Sequence, residues 1–467
     1  MKRSLMSLCA LASGIGAWPQ IPVSRDFRVG VDGRSVTTYQ CEVNPHRKVQ
    51  TASWAQFEAT GMARVQVVKP GGGIHSAVVR PFAKGVKPTV LNDSTVAFTI
   101  PAAQEGRGYA LSVEVNGDRE HNLHLFVDDR QTEIYEAPSP DATDAINWSG
   151  TGQPGSALDV FARDAKLIYF GPGEHKPKDL PSTEIKIPSN TTVYMAPGAV
   201  IKARLIVDHA ENVRIIGRGV LLNPLRGVEI TFSKHVLVDG LTIVNPQHYT
   251  VFGGQSEDIT IRNIRSFSCR PWSDGIDLMC CKDVTIEDVF LRNNDDAIAL
   301  YNHRWWYWGG SKNFHIRRAT IFNDLAHPFN LGTHGDDRAE VGETLEDVWV
   351  EDCDILQADG DGIFAVRCGD QNRLENIHFE NIRIEAAERG ALFNVQVNFS
   401  PKYNRKPGDY IRGVWFKDIF FDGDASKLSE NIFRSYDDKH TVSDLHFDNI
   451  QVNGKKQKVK PVITISK

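Results

Sequence analysis

Three aspartates near the middle of the chain, Asp274, Asp295 and Asp296, have side chains suited to acid–base catalysis. Like charges within a few ångströms destabilise one another, so proteins rarely group carboxylates without a metal or a reaction that uses them. Hydrolysis of a glycosidic bond needs two carboxyl groups, because one protonates the leaving oxygen and the other, ionised, activates water. A neighbouring negative charge keeps the acid protonated by raising its pKa. The alternative interpretation is a set of solvated turn residues.

A repeat surrounds these aspartates and indicates how they are positioned. An acid or amide followed by alternating apolar residues recurs from about residue 160 onward, in steps of 20 to 30 residues or slightly more, with no helical half. The first apolar residue of each copy is Val213, Val236, Ile259, Val284, Phe314, Val348, Ile377, Val414 or Leu445. Such a repeat of strands and turns predicts a β-solenoid, with Asn and Asp at turns that need left-handed backbone geometry.

The register of the repeat brings titratable residues together. Residues at equal distances past the first apolar position lie on one side of a solenoid, about 4.8 Å apart per coil. Five successive coils carry acids or imidazoles at nearly the same place, and these are His248, Asp274, Asp295 with Asp296, His327, and Asp359 with Asp361. The sequence therefore predicts a ladder of titratable groups along one face.

The sequence before the repeat predicts a second domain and, at the start of the chain, an export signal. Residues 20–135 contain short alternating strands, which predict a β-sandwich. Residues 136–159 are predicted to form a linker, and residues 160–467 are predicted to form the solenoid. Lys2 and Arg3 precede an apolar run that ends at Ala17, so residues 1–17 are predicted to be a signal peptide of a secreted or periplasmic protein, with a buried first strand as the alternative.

Composition excludes several classes of protein. The formal net charge of −6 argues against a nucleic-acid partner or an anionic membrane surface, and no later segment is long enough to span a bilayer. Six cysteines follow Cys9 without zinc-ligand spacing, and they are expected to be free and buried. The sequence indicates neither a metal nor another cofactor, and it leaves the oligomeric state open.

Two motifs resemble a known enzyme group. Trp272-Ser-Asp-Gly-Ile-Asp277 is similar to the Asn-Thr-Asp-Gly-x-Asp motif of polygalacturonases, and Asn294-Asp-Asp-Ala-Ile-Ala-Leu300 to their Asp-Asp motif. The second motif also resembles the dextranase and isopullulanase family, whose members join a β-sandwich to a β-helix. The resemblance, over roughly residues 160–450, implies an all-β right-handed parallel β-helix and an inverting glycoside hydrolase. It makes Asp295 the general acid, leaves Asp274 and Asp296 to hold and deprotonate water, and adds Asp277 to the substrate site.

Two other polygalacturonase motifs are altered. The Gly-His-Gly motif has no literal match, and the site histidine is either His327 or His334, with the coil register favouring His327. The Arg-Ile-Lys motif retains Arg367 without the lysine that pairs with a uronate carboxylate in pectinases. A neutral or differently charged α-linked glycan is therefore at least as good a substrate hypothesis as polygalacturonate.

An aromatic segment follows the Asp pair. Trp305, Trp306 and Trp308 lie in the run from His303 to Gly310, where they predict sugar stacking, with a hydrophobic plug as the alternative. Together with His248, Asp361 and the residues above, they complete the predicted substrate site. Two other functions stay open: a β-helical polysaccharide lyase using Ca²⁺, and a non-catalytic glycan-binding solenoid.

Overall fold

A computed structural model describes residues 13–14, 21–59, 61–102, 107–129, 145–148, 166–175 and 183–466. By its internal contacts the chain forms two compact units, Met1–Cys41 with Gln50–Glu136, and Glu42–Val49 with Ala137–Lys467. The described residues form strands, turns and three short 3₁₀ helices (Pro45–Arg47, Phe82–Lys84 and Ala425–Lys427), which confirms the all-β prediction. No helix in these ranges has the length and apolar character required to cross a membrane.

The first unit is a β-sandwich, as predicted. One sheet contains Ser13–Gly14, Thr38–Val43, Gln50–Ala59, Ala77–Arg80, Tyr109–Val115 and Asp118–Asp129, and the other contains Arg28–Val31, Arg34–Val36, Ala63–Val68, Thr89–Asn92 and Thr95–Ile100. Alternating residues of both sheets share one apolar core, with Val29 and Val65 from the second sheet packing with Phe57 and Leu125 from the first.

The second unit is a right-handed parallel β-helix, and a complete coil contributes one strand to each of three faces. The first face contains Ala145–Trp148, Leu167–Phe170, Thr192–Met195, Glu211–Gly217, Lys234–Asp239, Glu257–Arg262, Lys282–Glu287, Ser311–Arg317, Thr344–Glu351, Arg373–Ile384, Tyr410–Phe421 and Thr441–Val452. The second face contains Gly173–His175, Ala199–Ile201, Val220–Leu222, Thr242–Val244, Arg265–Phe267, Phe290–Arg292, Thr320–Phe322 and Asp354–Gln357, and later coils continue it within the long strands from Arg373 onward.

The third face, here called the site face, is a separate sheet of eleven strands within the described residues. They are Glu184–Lys186, Arg204–Asp208, Val228–Thr231, Val251–Gly254, Ile276–Met279, Ile298–Tyr301, Phe329–Gly332, Gly362–Cys368, Ala391–Val397, Ile432–Ser435 and Thr464–Ile465. Lys455–Gln457 folds back antiparallel on the preceding strand.

The turns explain the repeated Asn and Asp of the sequence. The residue before the first apolar position has a left-handed backbone in coil after coil, as at Asp283 (φ 53°) and Asn313 (φ 60°). Short polar side chains tolerate this conformation best among residues that have a Cβ atom. Asn313 Nδ2 donates to Asp283 Oδ1 at 2.6 Å, so the same residue that makes the turn also ties it to the neighbouring coil.

The interior is one continuous apolar column. Equivalent inward positions stack from coil to coil, as Ile276, Ile298 and Phe329 do on the site face, and each is fully buried. Parallel strands at a spacing of about 4.8 Å repeat each inward position once per coil. The column therefore fixes the register of the site face, including the turns that precede its strands.

The predicted signal peptide and the predicted linker both lie partly outside the described residues. The predicted signal peptide, residues 1–17, lies outside the described residues except for Ser13–Gly14, whose strand pairs with Phe57 and Glu58 of the sandwich. The predicted linker 136–159 contains the strand Ala145–Trp148, which pairs in parallel with Leu167–Phe170 and so begins the first face. The six cysteines after Cys9 are free and buried, as expected.

Candidate active site

The candidate site lies on the turns that lead into three consecutive strands of the site face. Ile276, Ile298 and Phe329 are paired inward residues, and the residue two positions before each is Asp274, Asp296 or His327. A shared position in successive coils places their side chains side by side, at about 4.8 Å per coil. The shared register predicted from sequence is therefore present in the structure.

The three aspartates form a compact carboxylate cluster. One oxygen from each of Asp274, Asp295 and Asp296 lies within 4.8 Å of the others. Asp274 and Asp296 are buried, whereas Asp295 is half-buried and accepts a hydrogen bond from the backbone N–H of Trp272 at 3.3 Å. The cluster is thus close enough for one water and one glycosidic oxygen to contact all three side chains.

The three carboxyl groups differ in protonation because their surroundings differ. Burial and the charge of Asp296 raise the pKa of Asp295 to about 6. Burial, followed by the charges of Asp277 and Asp295, raises the pKa of Asp274 well above its usual value. Burial acts in the same direction on Asp296, but the charge and hydrogen bond of His327 outweigh it and hold its pKa below the usual value. One group is therefore set to ionise and two to retain a proton.

His327 organises the ionised end of the cluster. Its Nδ1 lies 2.6 Å from Asp296 Oδ1, its Nε2 is hydrogen-bonded to Asp361 Oδ1, and its backbone N–H donates to Asp296 Oδ1 at 3.0 Å. Both ring nitrogens face carboxylate oxygens, so the ring donates twice and is held as the imidazolium. Burial lowers the pKa of His327, but Asp296 and Asp361 outweigh this effect and the pKa is raised.

The structure separates the two candidate histidines. His334 stacks edge-on against Tyr301, with ring centroids 5.0 Å apart, and burial together with Arg304 depresses its pKa well below the usual value. Within the described residues, the histidine that is hydrogen-bonded to an aspartate of the cluster is His327, through Asp296. Of the two, His327 is the histidine that the fold brings to the cluster.

Asp277 occupies a different place from the one expected for a substrate-binding residue. Its side chain has no exposed surface, so it cannot contact a sugar in this structure. It points to the outer side of the site face, because its neighbours Ile276 and Leu278 point into the interior core, and Arg304 Nη1 approaches its Oδ2 to 3.9 Å. Burial raises the pKa of Asp277 well above its usual value, and any negative charge that Asp277 carries raises the pKa of Asp274.

Asn330 is a member of the cluster that the sequence analysis missed. Asn330 Nδ2 donates to Asp296 Oδ2 at 2.6 Å, and Arg367 Nη2 donates to Asn330 Oδ1 at 3.1 Å. Arg367 also lies 3.6 Å from Asp361. Asn330 is paired with Ala299, which is itself paired with Asp277, so Asn330 holds the same outward position two coils beyond Asp277. That register is the signal from which it could have been found.

The aromatic segment lies on the outer side of the site face. Trp305 stacks with Tyr249 (centroids 6.2 Å apart) and contacts Phe252, and Trp308 stacks on His303 (centroids 3.6 Å apart). Trp305 and Trp308 remain 40% and 42% exposed, and Trp306 is 61% exposed. Arg304, also missed from sequence, packs its guanidinium 4.8 Å from the Trp305 ring and 5.1 Å from the Tyr301 ring. The segment therefore combines partly exposed rings with a half-buried cation. Neither a purely hydrophobic plug nor a purely aromatic stacking surface describes it.

His248 lies one coil before Asp274, outside the cluster. Its ring packs edge-on against Tyr249, with centroids 4.1 Å apart. Burial, reinforced by the charges of Arg226 and Arg304, lowers the pKa of His248 to about 4. The imidazole is therefore neutral over most of the pH range and can accept a hydrogen bond at this edge of the site.

The donor set suits a proton-transfer site better than a cation site. Three carboxylates within 4.8 Å match the oxygen ligands that Ca²⁺ prefers. Both oxygens of Asp296, however, already accept hydrogen bonds, from His327 and Asn330.

Comparison with known proteins places this geometry in a family. Residues 223–465, just over half of the chain and including all three aspartates, match the family described as "Glycosyl hydrolases family 28". This chain belongs to glycosyl hydrolases family 28. Its similarity to the family is therefore confined to the second unit, where the candidate site lies.

Curated relatives of this family 28 chain include two conifer proteins. A polygalacturonase of Juniperus ashei is 25% identical over 317 residues, covering 60% of this chain and 59% of the relative. A polygalacturonase of Chamaecyparis obtusa is 26% identical over 198 residues, covering 41% of this chain and 36% of the relative. The chain thus spans between about a third and three fifths of the length of these relatives.

Two solved structures share the fold over most of this family 28 chain. Dex49A from Penicillium minioluteum superposes with a TM-score of 0.60 and 12% identity, covering 92% of this chain and 96% of its own. The family 28 exopolygalacturonase of Yersinia enterocolitica gives a TM-score of 0.56 and 11% identity, covering 84% and 90%. At such low identity these structures show that the architecture is shared.

Proposed function

We propose that this chain hydrolyses an α-linked polysaccharide or oligosaccharide by single displacement with inversion. The observation that carries the proposal is the carboxylate cluster, whose members lie within 4.8 Å of one another. Their surroundings shift the pKa of Asp295 upward and that of Asp296 downward. Asp295, with a raised pKa, donates its proton to the glycosidic oxygen as the bond to the anomeric carbon breaks. Asp296, with a lowered pKa, accepts a proton from the water that attacks that carbon. Asp274 holds the same water on its other side.

The distance between the carboxyl groups needs a separate argument. Retaining enzymes place their carboxyl groups about 5–5.5 Å apart and inverting ones about 6.5–9.5 Å apart, so proximity alone favours a covalent mechanism. Inversion is proposed because neither candidate nucleophile is free. Asp274 has a pKa that keeps it protonated. Asp296 Oδ1 accepts two hydrogen bonds from His327, and Oδ2 accepts one from Asn330. These bonds weaken Asp296 as a nucleophile toward carbon, while Oδ2 keeps a lone pair that can accept a proton from water. Water is then the attacking group.

The substrate is proposed at the level of α-linked glycans. The relatives named polygalacturonase make polygalacturonate the first substrate to test. Arg367 already contacts Asn330 and Asp361, so a uronate carboxylate would have to compete with these partners. Neutral glycans such as dextran and pullulan therefore belong in the same panel, together with rhamnogalacturonan.

The experiment is a reducing-sugar assay on the full-length protein across this panel, followed by ¹H NMR of the first anomer released. Release of reducing sugar with the β-anomer appearing first supports inverting hydrolysis. The α-anomer first would refute inversion and indicate a covalent intermediate. Products absorbing near 235 nm would identify a lyase instead. Binding of a glycan without product would favour the non-catalytic solenoid.

Export from the cytoplasm is proposed on the sequence of residues 1–17 alone. A positively charged start followed by an apolar run is the pattern of a secretory signal. Expression of the full chain, followed by N-terminal sequencing of the extracellular or periplasmic fraction, tests it. A mature chain beginning near residue 18 supports export, whereas an intact N-terminus found only in the cytoplasm contradicts it.

A further inference from the structure

The run His303–Gly310, here called the aromatic loop, is fastened over the site face. It follows the strand Ile298–Tyr301, and the backbone N–H of His303 donates to Glu343 Oε2 at 2.8 Å. At its other end the backbone N–H of Trp308 donates to Gln255 Oε1 at 2.9 Å. These bonds tie the loop to the coils on both sides of the strand that precedes it.

The loop folds back over coils that come before Asp274. Tyr307 is buried against Phe232 and Phe252, with ring centroids 5.4 and 5.6 Å away. At Gly254 a Cβ atom would lie 2.4 Å from the Tyr307 ring, so only glycine admits the ring at this position. Trp305 covers Tyr249 and Phe252 next to it. The loop therefore occupies the outer side of the strands Val228–Thr231 and Val251–Gly254.

The aromatic loop reaches to within one coil of the carboxylate cluster. Tyr249 and Asp274 hold equivalent positions in successive coils, because Val251 pairs with Ile276. The coil spacing is about 4.8 Å, so the Trp305–Tyr249 stack lies directly beside the cluster, and a sugar bound over the cluster meets the stack within about one ring. Arg304 lies beside that stack and beside Asp277, where its guanidinium can donate to hydroxyl groups of the ring.

The other side of the cluster has charged groups in contact with solvent. The side chain of Asp361, in the coil after His327, is 61% exposed, and that of Arg389 is also 61% exposed. A glycan leaving the cluster in this direction meets these polar side chains instead of a packed aromatic layer. The site face is thus asymmetric about the scissile position.

We propose that the aromatic loop closes one end of the substrate cleft, so that the protein removes single sugars from a chain end. This inference rests on the proposed hydrolase function. An internal segment of a polymer would have to pass through the Trp305–Tyr249 stack, whereas a chain terminus fits in front of it. The loop, in this view, sets exo action, and its rings contact the terminal sugar.

The deciding experiment uses the unchanged protein on the polymer that it hydrolyses best in the glycan panel. Viscosity and reducing ends are followed together, and early products are separated by chromatography. Monosaccharide as the sole early product, with viscosity nearly unchanged, supports the inference. A ladder of oligosaccharides with a rapid loss of viscosity overturns exo action and leaves the hydrolase proposal intact. No release of reducing sugar from any glycan overturns both.

A variant tests whether the loop is responsible. The double change Trp305→Ala and Trp306→Ala removes the exposed wall while keeping the buried Tyr307, and we expect loss of monosaccharide selectivity, with di- and trisaccharides appearing. Tyr403→Ala removes an exposed aromatic ring outside the aromatic loop and should leave the product pattern unchanged. A folded, active double variant that releases only monosaccharide would contradict the role given to the loop.

Discussion

The role of Asp295 can be tested by replacing it with asparagine. The change keeps the shape of the side chain and its acceptor oxygen toward Trp272 but removes the proton that the glycosidic oxygen needs. It also removes one of the charges that raise the pKa of Asp274. If Asp295 is the general acid, the loss of hydrolytic rate must depend on how strongly the leaving group requires protonation.

The expected size of the loss follows from the protonation of the group. With a pKa of about 6, Asp295 is about 90% protonated at pH 5 and about 9% at pH 7, so turnover should fall about tenfold between these values. Losing a general acid costs about 10²- to 10⁴-fold, or about 3 to 5 kcal/mol of transition-state stabilisation. The raised pKa has a simple origin, since burial and Asp296 both disfavour the charged form.

The assay compares two leaving groups across pH. Initial rates of wild type and Asp295→Asn are measured on the natural glycan and on a nitrophenyl glycoside of the same sugar. We expect the large loss on the glycan and a much smaller one on the nitrophenyl glycoside, because nitrophenolate leaves without protonation. The fall in rate above pH 6 should disappear from the residual activity. Asp283→Asn, at an exposed turn where asparagine fits the left-handed backbone, is the control and should behave as wild type.

Equal losses on both substrates would refute the reasoning, since a general acid matters in proportion to the basicity of its leaving group. An unchanged alkaline limb in the variant would refute it as well, because another group would then be titrating near pH 6. Circular dichroism and the denaturation midpoint of the variant separate either result from misfolding.

Three further predictions follow from the same contacts. His327→Gln removes the charge that lowers the pKa of Asp296, so this pKa should rise and the acid limb of the pH–rate profile should move to higher pH. Folding raises the pKa of His327, so protonation of His327 stabilises the folded state of the wild type. The free energy of unfolding that the variant loses should therefore be largest below pH 6.5 and should decrease as the pH rises through the folded pKa of His327. Denaturant titrations at several pH values measure this difference. Asn313→Ala should lower the free energy of unfolding by about 1–2 kcal/mol, because alanine tolerates the left-handed backbone poorly, while Asn313→Gly should lower it less. EDTA should leave the rate of reducing-sugar release unchanged, and a loss restored by Ca²⁺ would show that the cluster works through a metal.

The solenoid could be predicted because its rules are local. Each copy of the repeat contains its own turn residue and its own inward apolar positions, so the period is visible in the sequence without knowledge of distant contacts. The left-handed turns at Asp283 and Asn313 show this, as both follow from residue type and place in the repeat. The strand Ala145–Trp148 was not predicted, because it lies before the regular repeat begins and its partner Leu167–Phe170 follows only after a gap.

The site was predictable only in part, for a related reason. Residues at a common distance past the repeat start could be aligned by counting, and this alignment brought Asp274, Asp296 and His327 to one place. Asn330 follows the same rule but has no titratable group to attract attention. The position of Arg304 depends on how an insertion folds back onto other coils, and no period in the sequence describes that path.

The sequence alone determined the β-helix, the three aspartates and their shared face, because a repeat converts spacing along the chain directly into position in space. The tertiary structure decided the protonation of each carboxyl group and the accessibility of Asp277. It also decided between His327 and His334, and where the aromatic loop lies. These properties depend on burial and on charges brought from other coils, as when His327 lowers the pKa of Asp296 while Asp277 raises that of Asp274. Such long-range effects arise from the sum of many contacts and leave no local pattern in the amino-acid sequence.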